Sequence, residues 1–315
     1  MRMRDVFVVI MAAIGLAVGV FSPELADPLS FLPRLLLMTM LFLGFLAVGT
    51  DALWTVLRSS PLVIVKLNII RLVILPVVCF IPFRLIMPDF ALAVFLLGAA
   101  PIGVMAGVYS LMVHANTALI LVGNITTSLL LPLSLPFMLL VTSTALEMLN
   151  LDALSLPKNL SLGGLTVSLC ITILVPFFMA WIIRAHLRTL TKFILGKQYP
   201  LSVGCIFFSN VSIFSQYAEV LHQDPTIILY ALIAACLLCA FMTILAIPTA
   251  RRHDGPTGLA FILSYGIINN ILILILSMEF FSANEALVAA AYLVPCYLML
   301  LFYRYYARTH GIADS

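Results

Sequence analysis

Two stretches decide the fold: Gly98-Ala-Ala-Pro101-Ile-Gly103-Val-Met-Ala-Gly107 and Leu263-Ser264-Tyr265-Gly266-Ile-Ile-Asn269-Asn270. Each sets helix-breaking residues inside a long apolar segment. Proline removes a helix hydrogen bond, and glycine weakens the turns beside it. Unwound backbone is tolerated in a bilayer only where it is buried in protein or lines a cavity. Many carriers build a binding site from a pair of such interruptions.

Working outward, ten apolar segments fill nearly the whole chain, at about 5–22, 31–49, 61–86, 90–113, 116–143, 162–184, 199–220, 226–249, 257–280 and 285–306. The chain has 315 residues, 63% hydrophobic and only 9% charged, against about 25% charged in a soluble domain. No water-soluble fold buries so much apolar surface, so the bilayer is the solvent of an all-α polytopic membrane protein. The short alternating segments of a β-barrel are absent. The first segment follows Met1-Arg2-Met3-Arg4, like the start of a signal peptide. Its apolar run continues to Phe21 without a small-x-small cleavage site, so it reads as a retained transmembrane helix.

With the N-terminus cytoplasmic, the cytoplasmic ends hold Arg2, Arg4, Arg58, Arg184, Arg188, Lys192, Lys197, Arg251, Arg252, Arg304 and Arg308. The opposite side holds Arg34, Arg84 and Lys158, together with most acidic residues: Glu24, Asp27, Asp89, Glu147, Asp152, Asp224, Glu279 and Glu285. This asymmetry places both termini inside. The expectation is a multi-pass integral protein of the bacterial inner (plasma) membrane. The chain divides into a first five-helix repeat at 1–143, an external connection at 144–160 and a second five-helix repeat at 161–315. One repeat begins inside and the other outside, so their topology is inverted. The fourth helix of each is the interrupted one, as in secondary transporters.

The six cysteines all lie in apolar segments. Cys236-Leu-Leu-Cys239 has metal-motif spacing, but no second pair or nearby histidine completes a site. No metal site and no cofactor is expected. Basic residues are spread over the loops, so the net charge of +3 does not point to nucleic acid. His114 and His186 read as interfacial. The sequence contains no HExxH, GxSxG or Walker A pattern, and no carboxylate at mid-depth unless Glu219 is counted. The chain does not read as an enzyme.

Arg71 is the most unusual side chain. It lies about ten residues into segment 3, roughly 15 Å deep at 1.5 Å per residue, where a charge costs at least ~2.5 kcal/mol. Two readings stand: it faces a polar interior or bound anion, or it is a structural arginine satisfied by backbone carbonyls. Asn68 shares its face, and the shallower Lys66 snorkels toward the interface. Asn124, Thr127 and Ser128 in segment 5, and Ser264, Tyr265, Asn269 and Asn270 in segment 9, are candidates to line a polar cavity; they can equally form interhelical hydrogen bonds. Pro101, Gly103, Gly107 and Gly266 are the candidate breaks. Gly103-Val-Met-Ala-Gly107 also reads as a small-xxx-small packing face, as does Gly15-Leu-Ala-Val-Gly19.

Pro101-Ile-Gly-Val-Met-Ala-Gly, then His114-Ala-Asn-Thr-Ala-Leu through Pro132, resembles helices four and five of the bile acid:sodium symporter family. Pro61 to Leu75-Pro76 and Ser264-Tyr-Gly-Ile-Ile-Asn269-Asn resemble its helices three and nine. The resemblance implies a core of segments 3–5 and 8–10 in which helices 4 and 9 cross, and a panel of segments 1, 2, 6 and 7. It also implies a carboxylated organic substrate between the two. In sodium-coupled members, segment 9 carries a glutamate where this chain has Ser264 and a glutamine where it has Ile268. A Ser-Asn pair is replaced here by Ala106-Gly107, a hydroxyl ligand by Leu131, and a segment 3 glutamine by Arg71. Thr127 keeps a matching hydroxyl ligand, and Asn269 matches the asparagine presented to substrate. A family-type sodium site is therefore not expected. The expectation is a secondary transporter of a small organic anion, in contact with membrane lipids, with Arg71 as a tethered cation near Ser264, Thr127 and Asn269. Two alternatives stand: a sodium- or proton-coupled carrier resembling auxin efflux carriers, and a non-transporting scaffold or sensor.

Overall fold

The computed structural model describes residues 3–25, 32–48, 50–149, 151, 154, 156–157, 159–223 and 225–312. Arg2, Asp27, Asp152, Lys158 and Asp224, invoked above for the charge asymmetry, lie outside the described residues, as does part of the 144–160 connection. The described residues are helical almost throughout: α1 (Met3–Phe21), α2 (Leu32–Ala47), α3 (Thr50–Ser59), α4 (Pro61–Ile69), α5 (Leu75–Ile86), α6 (Ala91–Ala99), α7 (Val104–Met112), α8 (Thr117–Met148), α9 (Leu162–His186), α10 (Arg188–Gly196), α11 (Gln198–Gln223), α12 (Pro225–Ala250), α13 (Gly255–Gly266), α14 (Asn270–Phe280), α15 (Ala283–Ala291) and α16 (Leu293–Thr309). Among the described residues, six helical spans are long and apolar enough to cross a membrane: Pro61–Ile86, Thr117–Met148, Leu162–His186, Gln198–Glu219, Thr226–Ala250 and Ala283–Thr309. Length alone does not recover segments 4 and 9, because each arrives as two short halves.

Proline chemistry accounts for two departures from regular helix. Between α4 and α5 the chain widens into a π turn at Ile70–Ile74, and Leu75 N–H reaches back to Ile70 O. Pro76 follows and cannot donate, so an α ladder would leave Leu72 O without its partner; such bulges are frequent at functional sites. Segment 10, expected as one helix, divides at Tyr292. Pro295 has no N–H for Ala291 O, so the ladder fails one turn earlier. Two helices occupy stretches expected as connections, α3 and α10.

The chain forms two compact units. The first comprises Met1–Ala47 and Cys170–Leu229. In it α1 lies against α11 so closely that a Cβ on Gly15 or Gly19 would stand 2.7 Å from Phe207 O or Val211 O, respectively. The small-xxx-small pattern is thus a packing face. Arg34 Nε donates to Thr172 Oγ1 (3.2 Å), Arg184 Nη1 donates to Leu46 O (2.5 Å), and the Phe45 and Phe177 rings meet edge to face. The second unit comprises Val48–Leu169 and Tyr230–Ser315 and contains every candidate site residue. Its core is built on α6, α13 and α14, whose residues are almost all buried. At its periphery Ser168 Oγ donates to Glu279 Oε2 (2.8 Å), and a Ser282–Glu285 capping box starts α15.

Candidate functional site: a crossing of two broken helices

Helix α6 stops at Ala99, and Ala100 turns extended at ψ 143. Pro101 supplies the stop, since its nitrogen cannot donate and its ring disfavours helix in the preceding residue. Gly103 is extended and precedes α7. In the second broken helix, Gly266 is the last residue of α13, Ile267 is extended, and the Asn269 side chain caps α14 by accepting from Leu272 N–H (3.3 Å). The two unwound strands pair antiparallel, Ile102 opposite Ile268. Gly103 N–H donates to Ile267 O and Asn269 N–H donates to Pro101 O, both at 2.9 Å. Each break therefore satisfies the other's backbone, which is the condition for irregular chain at membrane depth. Thr127 Oγ1 on α8 accepts from Ile102 N–H (3.2 Å). A second tie joins the far ends of these helices, where Asn116 N–H donates to Pro256 O (2.9 Å) and Asn116 Nδ2 donates to Thr257 Oγ1 (3.2 Å).

Among the candidate breaks, Pro101 and Gly103 lie in the first gap and Gly266 at the edge of the second. Gly107 is a correction: it lies inside α7, where a Cβ would stand 2.8 Å from Leu121 Cδ2. It acts by close packing.

Each half-helix ending at the crossing presents its last carbonyls, the negative end of its dipole; of these, Leu97 O already accepts from Ala100 N–H (3.1 Å). The chain brings a donor to each. Arg71 Nη2 donates to Leu97 O at the end of α6 (3.4 Å). Tyr292 Oη donates to Gly266 O at the end of α13 (2.9 Å), with Cys239 Sγ 4.0 Å from the same oxygen. Arg71 is 0% exposed, and its Nε and Nη1 have no hydrogen-bond partner among the described residues. Tyr292, Cys79 and Tyr265 are its electrostatic neighbours. This corrects the expected arrangement. The hydrogen bond of Arg71 is to the negative pole of α6, not to Ser264, Thr127 or Asn269. The backbone-carbonyl reading describes one of its nitrogens and leaves two unaccounted for.

The other candidates are buried, and all are hydrogen-bonded except Tyr265, whose hydroxyl has no hydrogen-bond partner among the described residues. Thr127 Oγ1 donates to Gly123 O (2.7 Å), and Asn124 Oδ1 accepts from Ser128 Oγ (3.2 Å). Ser264 Oγ donates to Phe261 O (2.9 Å), Tyr265 is buried beside it in the last turns of α13, and Asn270 Nδ2 donates to Ala289 O (3.0 Å). Thr127 and Asn269 thus both lie at the crossing, with Asn270 beside it as the first residue of α14, while Asn124 sits further along α8. Asn68 Nδ2 donates to Ile64 O (2.8 Å) and Thr126 Oγ1 (3.0 Å). Lys66 Nζ lies 5.7 Å over the Phe261 ring, which stacks on His253 at 4.8 Å. Burial and the nearby Lys66 ammonium push the His253 imidazole below its ordinary pKa.

Sequence reasoning missed Tyr292 and Tyr303. The Tyr303 hydroxyl lies against the Cα of Gly266, and it has no hydrogen-bond partner among the described residues. The only signal for Tyr292 was a bulky hydroxyl side chain after Ala289-Ala-Ala291. Its partner, a carbonyl freed on another helix, had no signature in the sequence.

Described residues that are helical almost throughout, with six membrane-length spans among them and two half-helix pairs crossing through paired unwound backbone, define a class, that of polytopic membrane proteins with a discontinuous-helix centre. Residues 34–224 match the model of the Sodium Bile acid symporter family, more than half of the chain, and the chain belongs to that family. It is an integral membrane protein and a membrane transporter of the bile acid symporter type. The match includes Arg71, Thr127 and the first break. No curated protein matches the chain significantly.

Proposed function

We propose that the chain is a secondary transporter that carries a small organic anion by alternating access, and that it does so without sodium. The observation that supports this reading is the occupied carbonyl end of α6: a permanently charged guanidinium sits where a cation is electrostatically favoured. A further cation would meet repulsion there. The family-type ligand set is depleted in the same region, with Ser264 and Ile268 in place of an acid and an amide. In this reading the two units correspond to a panel and a core, and ten spans form two inverted repeats with both termini cytoplasmic, in a bacterial inner membrane. Asn269, Thr127 and the N-terminal ends of α7 and α14 offer donors and partial positive charge to the substrate carboxylate. No catalytic step is assigned to any residue.

The test is uptake into proteoliposomes from a panel of small carboxylates. At least one acid is expected to accumulate at the same rate with sodium or potassium outside. Uptake that requires sodium would overturn the coupling assignment. Topology is tested separately: labelling of Lys197→Cys and Lys158→Cys is expected from opposite sides, and labelling of both from one side would remove the inverted repeat.

A non-transporting scaffold or sensor is favoured by one observation, the complete burial of Arg71 against backbone. It predicts no uptake of any carboxylate by protein that is correctly inserted and folded.

A further inference from the structure

Helix α10 plays no part in the crossing, and its chemistry points to the membrane surface. It runs Arg188-Thr-Leu-Thr-Lys192-Phe-Ile-Leu-Gly196 and is strongly amphipathic. Nine residues rise only about 13.5 Å, too little to cross a bilayer. It stands between two membrane-length spans, α9 and α11. Thr191 is its buried point, and the Thr191 hydroxyl contacts Leu187 O (3.1 Å) and Ile183 O (3.3 Å), which holds the helix to the end of α9. At about 100° per residue, Leu190 and Phe193 fall on one arc and Arg188 and Lys192 on another. Leu187, Leu190 and Phe193 are 48%, 40% and 67% exposed. Arg188, Lys192 and the following Lys197 are exposed too. An open groove of about 530 Å³ runs along this side, lined by His186, Leu187, Arg188, Thr189, Leu190 and Phe193. The sequence has no acidic residue between Asp152 and Glu219.

An exposed apolar arc beside an uncompensated basic arc, placed between two spans, has the form of an interfacial helix. A water-soluble partner would leave the apolar arc to compete with the adjacent bilayer. A second copy would bring the same positive charges together. We infer that α10 lies in the membrane interface and binds anionic phospholipid headgroups. Leu187, Leu190 and Phe193 sink toward the acyl chains, and Arg188, Lys192 and Lys197 meet the phosphates. The assignment is independent of what the protein carries.

The test places an indole on the helix with Phe193→Trp in the full-length protein. Wild type is subtracted to remove the signal of Trp54 and Trp181. Vesicles contain brominated phosphatidylglycerol or brominated phosphatidylcholine at equal bromine content. The added indole is expected to be quenched in both, and more strongly by phosphatidylglycerol. Adding Arg188→Gln and Lys192→Gln should lower the phosphatidylglycerol preference by roughly tenfold or more. Adding the charge-conserving Arg188→Lys should preserve it. Equal quenching by the two lipids overturns the proposal. So does an unquenched indole, whether the helix stands in water or is covered by a second copy; cross-linking of reconstituted protein tells these two apart.

Discussion

Arg71→Gln is expected to cut organic-anion uptake by ten- to a hundredfold while the protein still inserts and folds. The size follows from the loss of a charged hydrogen-bond donor, worth about 1.5–3 kcal/mol, from the carbonyl end on which the crossing rests. Folding is expected to survive because the change also removes a buried charge, two of whose nitrogens have no hydrogen-bond partner among the described residues. An unpaired buried charge is costly to desolvate, and a neutral amide of similar shape avoids that cost. The two effects therefore separate: transport falls while the thermal midpoint holds or rises. Arg71→Lys should restore only part of the activity. Lysine keeps the charge but lacks the planar fork that spans Leu97 O and the space beyond it. Uptake is read beside thermal unfolding in the same detergent, with sodium and with potassium. Normal uptake by Arg71→Gln would leave Arg71 a structural residue. Sodium-stimulated uptake by wild type would show that the guanidinium does not replace a bound cation.

What the sequence made legible was the chemistry written into single residues. Pro101 and Gly103 announced the first gap, and Gly266 with Asn269-Asn270 the second, because proline and glycine act on their own turn. The long apolar runs gave the helical spans for the same reason. Arg71 was legible as an anomaly by depth alone, but its partner was not. Leu97 O is a backbone atom, and its availability depends on the stop imposed by Pro101. The sequence locates a break but not which half-helix end faces a side chain. Gly107 failed as a break because glycine in a helix weakens it by about 1 kcal/mol only, and here it packs closely against Leu121 within a continuous helix. Helix α10 was passed over as a connection because nine residues with two basic groups are too short and too charged to register as a span.

The geometry of the crossing leads to a contrast between its two glycines. A Cβ on Gly103 would stand 2.6 Å from Ile268 O, a backbone atom held in the strand pairing. A Cβ on Gly266 would meet the Tyr303 hydroxyl first and Thr243 Oγ1 at 3.0 Å next. Both Gly103→Ala and Gly266→Ala are expected to destabilise the protein by about 1–3 kcal/mol, the usual range for overpacking, and to abolish most uptake. They should differ in rescue. Tyr303→Phe removes the atom that Gly266→Ala strikes, and what the hydroxyl gives up is at most a polar contact with Thr243. The double variant Gly266→Ala/Tyr303→Phe should therefore recover most of the lost thermal stability, a coupling of at least about 0.5–1 kcal/mol between residues in contact. No side-chain change is expected to rescue Gly103→Ala, because its obstacle is the partner strand itself. Recovery is measured as the thermal midpoint of the single and double variants and as initial uptake rate. Additive losses in Gly266→Ala/Tyr303→Phe would mean that Tyr303 does not lie against Gly266. A mild effect of Gly103→Ala would mean that the unwound strands are not paired at the distance that makes glycine necessary there.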